Sequence, residues 1–137
     1  MEKSKDYSKC KSEQEFKMMW LKKHINDSEI FFCIETEETI KGFPDVMCIN
    51  KKTQGTHFFE FKYTKSGKIK FQPTQPSFYK KCPSLDIKVI AYNAVTETVH
   101  SFCKEALFIE DSIYKMNEKA EVNLSLAEKK LEEYETK

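Results

Sequence analysis

Two carboxylates and one ammonium, set into runs of apolar residues, constrain this chain more than any other feature. Gly42-Phe43-Pro44-Asp45-Val46-Met47-Cys48-Ile49-Asn50 is followed by Lys51, Lys52, Thr53, Gln54 and Gly55, and then by His57-Phe58-Phe59-Glu60-Phe61-Lys62. The apolar residues around Asp45 and Glu60 read as two strands, and the polar stretch through Gly55 as the turn of a hairpin. Side chains alternate along a strand, so Phe58, Glu60 and Lys62 share one face and Phe59, Phe61 and Tyr63 the other. Asp45, opening the neighbouring strand, sets a second carboxylate beside Glu60. Hard divalent cations such as Mg²⁺ take carboxylate, carbonyl and water oxygens. This face therefore suits a divalent cation with a lysine next to it.

The flanking sequence supplies elements to hold such a hairpin. Ser12 is placed as an N-cap, with Glu15 three residues on as a capping box requires. The helix it starts runs to about His24, with Phe16, Met19 and Trp20 as its apolar stripe. Ile30 to Ile34 is too short an apolar run for a helix and reads as a strand buried on both faces. Glu35 to Glu38 read as a polar connection. After a turn through Gly67, Thr74-Gln75-Pro76 reads as a helix start, since proline is tolerated in the first turn. This helix carries Phe78 and Tyr79 inward and ends before Pro83. Ile87 to Tyr92 is a strand, and Thr98 to Phe102 alternates as an edge strand with His100 facing solvent. Residues 1–11 read as a loose basic arm and residues 12–103 as the core. From Lys104 to Lys137 the pattern is that of a helical extension. Its stripe of Ala120, Leu124, Ala127, Leu131 and Tyr134 fits either its own sheet or a second copy of the chain.

Composition narrows the class. With 137 residues, 13% aromatic content and only three glycines and four prolines, one folded domain is expected. The net charge of +1 is no polycation's, but six lysines and no acids lie between Lys62 and Lys81. Such a basic strip beside the carboxylates fits a phosphate-bearing substrate. The five cysteines are odd in number and scattered, with no Cys-X-X-Cys. They read as reduced, mostly buried thiols of a cytoplasmic protein. No stretch approaches the ~20 apolar residues of a membrane helix.

Pro44-Asp45 and Glu60-Phe61-Lys62, with Gly67 and a glutamine at Gln72 or Gln75 after them, resemble the PD-(D/E)XK nuclease superfamily. Within it the chain is similar to the small virus-type replication-repair nucleases and the archaeal-type Holliday junction resolvases, over roughly residues 12–103. The resemblance implies a restriction-endonuclease-like α/β core: a mixed sheet, an antiparallel meander plus a parallel strand, flanked by helices, here with an extra C-terminal helix. It implies a metal-dependent DNA endonuclease selective for branched or junction DNA, with Asp45, Glu60 and the Phe61 carbonyl holding one or two Mg²⁺ or Mn²⁺ ions. Lys62 would act on the attacking water. In the resembled families a glutamate of the first helix also reaches the metal. Glu13 lies nearer the apolar stripe than Glu15 and is the better-placed candidate. A glutamine near the site would position phosphate or water. Gln75 fits the helix better and Gln72 the spacing in some relatives, so both stay open. Lys65, Lys68, Lys70, Lys80 and Lys81 would contact the DNA backbone. A two-fold symmetric junction needs paired cuts, which leads to the expectation of a homodimer. The alternative is a catalytically silent module that binds nucleic acid or inhibits, and keeps the fold.

Overall fold

The structure, a computed structural model, describes residues 2–3, 6–24, 29–34, 42–108 and 121–124. Its elements in chain order are β1 (Glu2–Lys3), α1 (Glu13–His24), β2 (Glu29–Cys33), β3 (Val46–Asn50), β4 (Thr56–Thr64), β5 (Lys68–Lys70), α2 (Thr74–Lys81), β6 (Ile87–Asn93), β7 (Thr98–Cys103), a 3-10 turn (Lys104–Phe108) and β8 (Glu121–Asn123). Six strands form one sheet in the order β1-β7-β6-β4-β3-β2, and β5 and β8 form a separate two-stranded ribbon. Strands β2, β3 and β4 are the expected antiparallel meander. The crossover through β5 and α2 returns the chain as β6, parallel to β4 from Phe58↔Ile87 to Thr64↔Asn93. No helix among the described residues is long and apolar enough to cross a membrane.

The alternation along β4 splits the core between the two faces of the sheet. On the α1 face, Phe59 and Phe61 pack with Phe16, Leu21, Ile90 and Tyr92. On the α2 face, Phe58 packs with Val89, Ala91, Phe71 and Tyr79. Helix α1 starts where its cap predicts. The Glu15 amide donates to Ser12 Oγ at 3.2 Å, and Glu15 Oε2 accepts from the Lys11 amide at 2.6 Å. Burying side chains as large as Phe16 and Phe61 stabilises the fold by about 1.5–3 kcal/mol each.

Distant neighbours, which no local pattern records, change several expectations. The buried stripe of α1 is Phe16 and Leu21 with Trp20 beside them, while Met19 is 39% exposed. The N-terminal segment does not hang loose over its described part: Glu2–Lys3 pairs with β7, and Tyr7 and Cys10 are buried against α1 and the sheet. Strand β7 is therefore not the edge, and His100 is buried with Nε2 2.8 Å from Thr98 Oγ1. Strand β2 takes the other edge and exposes Ile30 and Phe32, so it is not buried on both faces.

At the C-terminal end, residues 104–108 form a 3-10 turn, and Glu121–Asn123 is a strand antiparallel to β5 rather than part of a helix. Val122 and Leu124, at strand spacing, are both buried in the α2-side core. Leu124 thus serves its own chain and not a seam for a second copy. The rest of the expected stripe (Ala120, Ala127, Leu131 and Tyr134) and the connection Glu35–Glu38 lie outside the described residues.

Candidate active site

The site forms where the β3–β4 ladder ends. Its last pair is Val46↔Phe59, so the next position sets Asp45 against Glu60. Asp45 stands just before β3 rather than inside it. One position further back is Pro44, which has no amide hydrogen to offer Phe61. The Phe61 amide, which a further ladder step would give to the Pro44 carbonyl, donates instead to Asp45 Oδ2 at 3.1 Å. The ladder stops at the proline, and the bond from the Phe61 amide to the aspartate side chain fixes one carboxylate next to the other.

Glu60 is only 2% exposed, and its Oε1 has no hydrogen-bond partner. Burial, then the charge of Asp45 and hydrogen bonding to it, push the Glu60 carboxyl well above the usual carboxylate range. Lys62 pulls it back, and Glu13 adds to the rise. Two residues along the same face, Lys62 Nζ donates to Gln75 Oε1 at 3.2 Å and lies 4.7 Å from the centre of the Phe71 ring. Gln75 Oε1 also accepts the Gln72 amide at 3.0 Å. Gln75 therefore touches the lysine, and Gln72 holds the glutamine in place through its backbone.

These groups line one cleft of about 580 Å³ with Glu13, Gly42, Phe43, Gln72, Pro73 and Thr74. Glu13 belongs to the cleft and Glu15 does not, since Glu15 is engaged in capping α1. The Glu13 residue is largely open to solvent. Its carboxyl is nevertheless raised from the usual value, first by the protein around it and further by Asp45, against Lys62 and Lys17. The five lysines of the basic strip stand elsewhere. Lys65, Lys68, Lys70, Lys80 and Lys81 are all exposed outside the cleft lining, and Lys80 Nζ lies 5.3 Å over the Phe108 ring. Lys68 and Lys70 flank buried Ile69, so they project from the outer face of the β5–β8 ribbon.

Gly42 also shapes the cleft. Its φ is +93°, and a Cβ there would lie 2.2 Å from the Thr74 carbonyl oxygen. Only glycine lets the chain entering Asp45 touch the start of α2. Gly42→Ala is expected to cost at least the ~1–3 kcal/mol of a strained backbone position. Cleavage activity should fall as the mouth of the cleft shifts. Urea unfolding beside a cleavage assay checks both, and unchanged stability would mean that this approach is not needed.

Whether a divalent cation fits can be judged from the donors. Among the described residues no cluster of three or more His, Cys, Asp or Glu side chains is placed to hold a metal. Mg²⁺, however, is commonly held by one or two carboxylates, with waters and substrate phosphate completing its shell. Asp45 and Glu60 supply such a pair, and a buried carboxylate oxygen without a partner is a donor left for a cation.

No protein-family model and no curated protein sequence matches this chain. Among solved structures it is similar to Hjc, a Holliday junction resolvase from the archaeal hyperthermophile Archaeoglobus fulgidus. The TM-score is 0.56 over 84% of this chain and 91% of the resolvase, at 12% identity. A nuclease from a fusselovirus gives a TM-score of 0.49 over 90% of this chain and 89% of that one, also at 12% identity. The likeness to the resolvase is one of fold: the chain has the restriction-endonuclease-like architecture, in keeping with the PD-(D/E)XK resemblance of its sequence.

Proposed function

We propose that this protein is a metal-dependent DNA endonuclease that selects branched or junction DNA by structure rather than by sequence. One observation carries the reading: Asp45, Glu60 and Lys62 line a single cleft on this fold, with an unpartnered oxygen on Glu60 and Gln75 holding the lysine. Asp45, Glu60 and the Phe61 carbonyl would hold Mg²⁺ or Mn²⁺, with Glu13 joining directly or through water. A bound cation would polarise the phosphoryl oxygen, steady the leaving oxygen and acidify a water.

The remaining work falls to the chain's own residues. Lys62, on leaving Gln75, orients or deprotonates the attacking water and offsets charge in the transition state. Gln75 then turns its amide to phosphate or water. Lys65, Lys68, Lys70, Lys80 and Lys81 contact backbone phosphates, giving affinity without choice of sequence.

Lys62→Ala separates chemistry from binding. It is expected to lose about 10²–10³-fold in turnover, the effect of removing one transition-state donor, while binding four-way DNA as the wild type does. Replacing Lys68 and Lys70 together should instead weaken binding to all DNA shapes and lower the slope of log affinity against log salt by about 2. Gel shift and cleavage on linear, nicked, flapped and four-way substrates test both. A wild-type protein that binds these substrates but cuts none with Mg²⁺ or Mn²⁺ would leave the silent DNA-binding module instead.

A further inference from the structure

Beneath the cleft lies a second group without a partner. Tyr79 is 1% exposed, and its phenol oxygen, like Glu60 Oε1, makes no hydrogen bond. A buried hydroxyl without a partner is costly, so a native fold that keeps one invites the question of what it donates to.

The packing of α2 on β4 answers it. Because α2 connects two parallel strands, it runs back antiparallel to them. Gln75 meets Lys62 at 3.2 Å. Tyr79 stands one helical turn beyond Gln75, about 6 Å along the axis. Glu60 stands two strand residues before Lys62, about 6.6 Å back along the same face. The two steps match, so Tyr79 comes to lie over Glu60. Phe43 lies 5.5 Å from Phe58 and 5.4 Å from Phe78, so the part of α2 beyond Gln75 approaches the Phe58 end of β4. Burial first, then the charges of Glu60 and Asp45, push the Tyr79 phenol well above its ordinary range. A buried donor on α2 and a buried acceptor on the α2 face of β4, neither with a partner, thus share the helix–sheet interface.

We propose that Tyr79 is a positioning residue: in the metal-loaded protein its phenol donates to Glu60, directly or through one water, and holds that carboxylate in its ligating orientation. This rests on the two-carboxylate metal site proposed above. A carboxylate turned outward to bind a cation is left with its second oxygen toward α2, where Tyr79, one helical turn beyond Gln75, is a buried donor without a partner; Thr74 Oγ1, also unpartnered, lines the mouth of the cleft. Partners that orient a ligand from behind in this way typically account for about 10–100-fold of metal affinity.

The test is calorimetric titration of Mn²⁺ into the metal-free full chain, without DNA, for wild type, Tyr79→Phe, Glu60→Gln and the double variant, with a thermal melt of each. Tyr79→Phe should weaken Mn²⁺ binding about 10-fold or more, yet melt no lower than wild type without metal, because the hydroxyl it removes is unbonded there. In the Glu60→Gln background it should change nothing further. Equal Mn²⁺ affinity in wild type and Tyr79→Phe overturns the proposal. So does a metal-free Tyr79→Phe that melts markedly lower, which would show the hydroxyl bonded in the resting fold. If the wild type binds Mn²⁺ and Glu60→Gln does not, while Tyr79→Phe binds normally, Tyr79 alone is misassigned. If no Mn²⁺ binding responds to Glu60→Gln, the metal site itself falls and the role of Tyr79 with it.

Discussion

Asp45→Asn and Glu60→Gln should each reduce Mg²⁺-dependent cleavage to background and leave the fold standing. Both replacements keep size and shape while removing a charge. The asparagine side chain would keep an oxygen for the Phe61 amide, which Asp45 now holds at 3.1 Å. Asp45→Ala would lose that bond as well, at a further cost of about 0.5–1.5 kcal/mol. The asparagine variant is therefore the cleaner probe of chemistry. The loss should exceed the ~10²–10³-fold typical of one transition-state donor, because each carboxylate is half of the proposed metal-holding pair. Circular dichroism and single-turnover cleavage of a four-way junction check the two halves of the expectation. Cleavage at the wild-type rate by either variant would move the active site elsewhere.

Glu60→Gln should also make the metal-free protein more stable at pH 8. The folded chain holds the Glu60 proton more tightly than the ordinary value of 4.5, because of burial first and Asp45 second. Below that value folded and unfolded chains are both protonated, and the contribution of the neutral carboxyl is fully present. As pH rises past it, the unfolded chain releases its proton while the folded one retains it. Stability then falls until the raised folded value has been passed. Glu13 shifts the same way and adds to the decline. Metal-free wild type should therefore melt lower at pH 8 than at pH 5, and Glu60→Gln should lose most of that difference. Each kcal/mol recovered moves the Tm of a chain this long by roughly 4 °C. Mg²⁺ should raise the wild-type Tm at pH 8 and do little for the variant. A decline with pH that is identical in both would mean that Glu60 is not a source of the strain.

The features legible in the sequence were those that a strand or a helix end writes locally. Charged residues inside an aromatic run gave away β4, because period two has only one way to sort Glu60 and Lys62 from Phe59 and Phe61. Ser12 and Glu15 announced the start of α1 for a similarly local reason. The parallel return of β6 followed from a helix lying between two strands.

What stayed hidden depended on partners far along the chain. Nothing near His100 says that residues 2–3 pair with its strand, and nothing near Tyr7 says that it meets Phe16 and Tyr92 edge-on. Leu124 fits a helical stripe with Ala120 and a strand with Val122 equally well at that length, and the ladder with β5 decided for the strand. The two glutamines could not be ranked by spacing, because they act together: one touches Lys62 and the other donates its amide to the first. Tyr79 read as an inward core residue, which it is. That its hydroxyl is buried without a partner shows only in the packing of α2 on β4.

The β5–β8 ribbon bears on how the molecule comes into being. Between Lys70 and Glu121 the chain passes through α2, β6 and β7 before it returns to pair with β5. A chain emerging from the ribosome can gather its hairpin, crossover and carboxylate pair while this partner is still being made, since domains form progressively during synthesis. The support under Lys68 and Lys70, with Val122 and Leu124 closing over Ile69, is completed only when those last segments arrive. The nascent protein would thus assemble its carboxylate pair before the ribbon that carries Lys68 and Lys70 is complete.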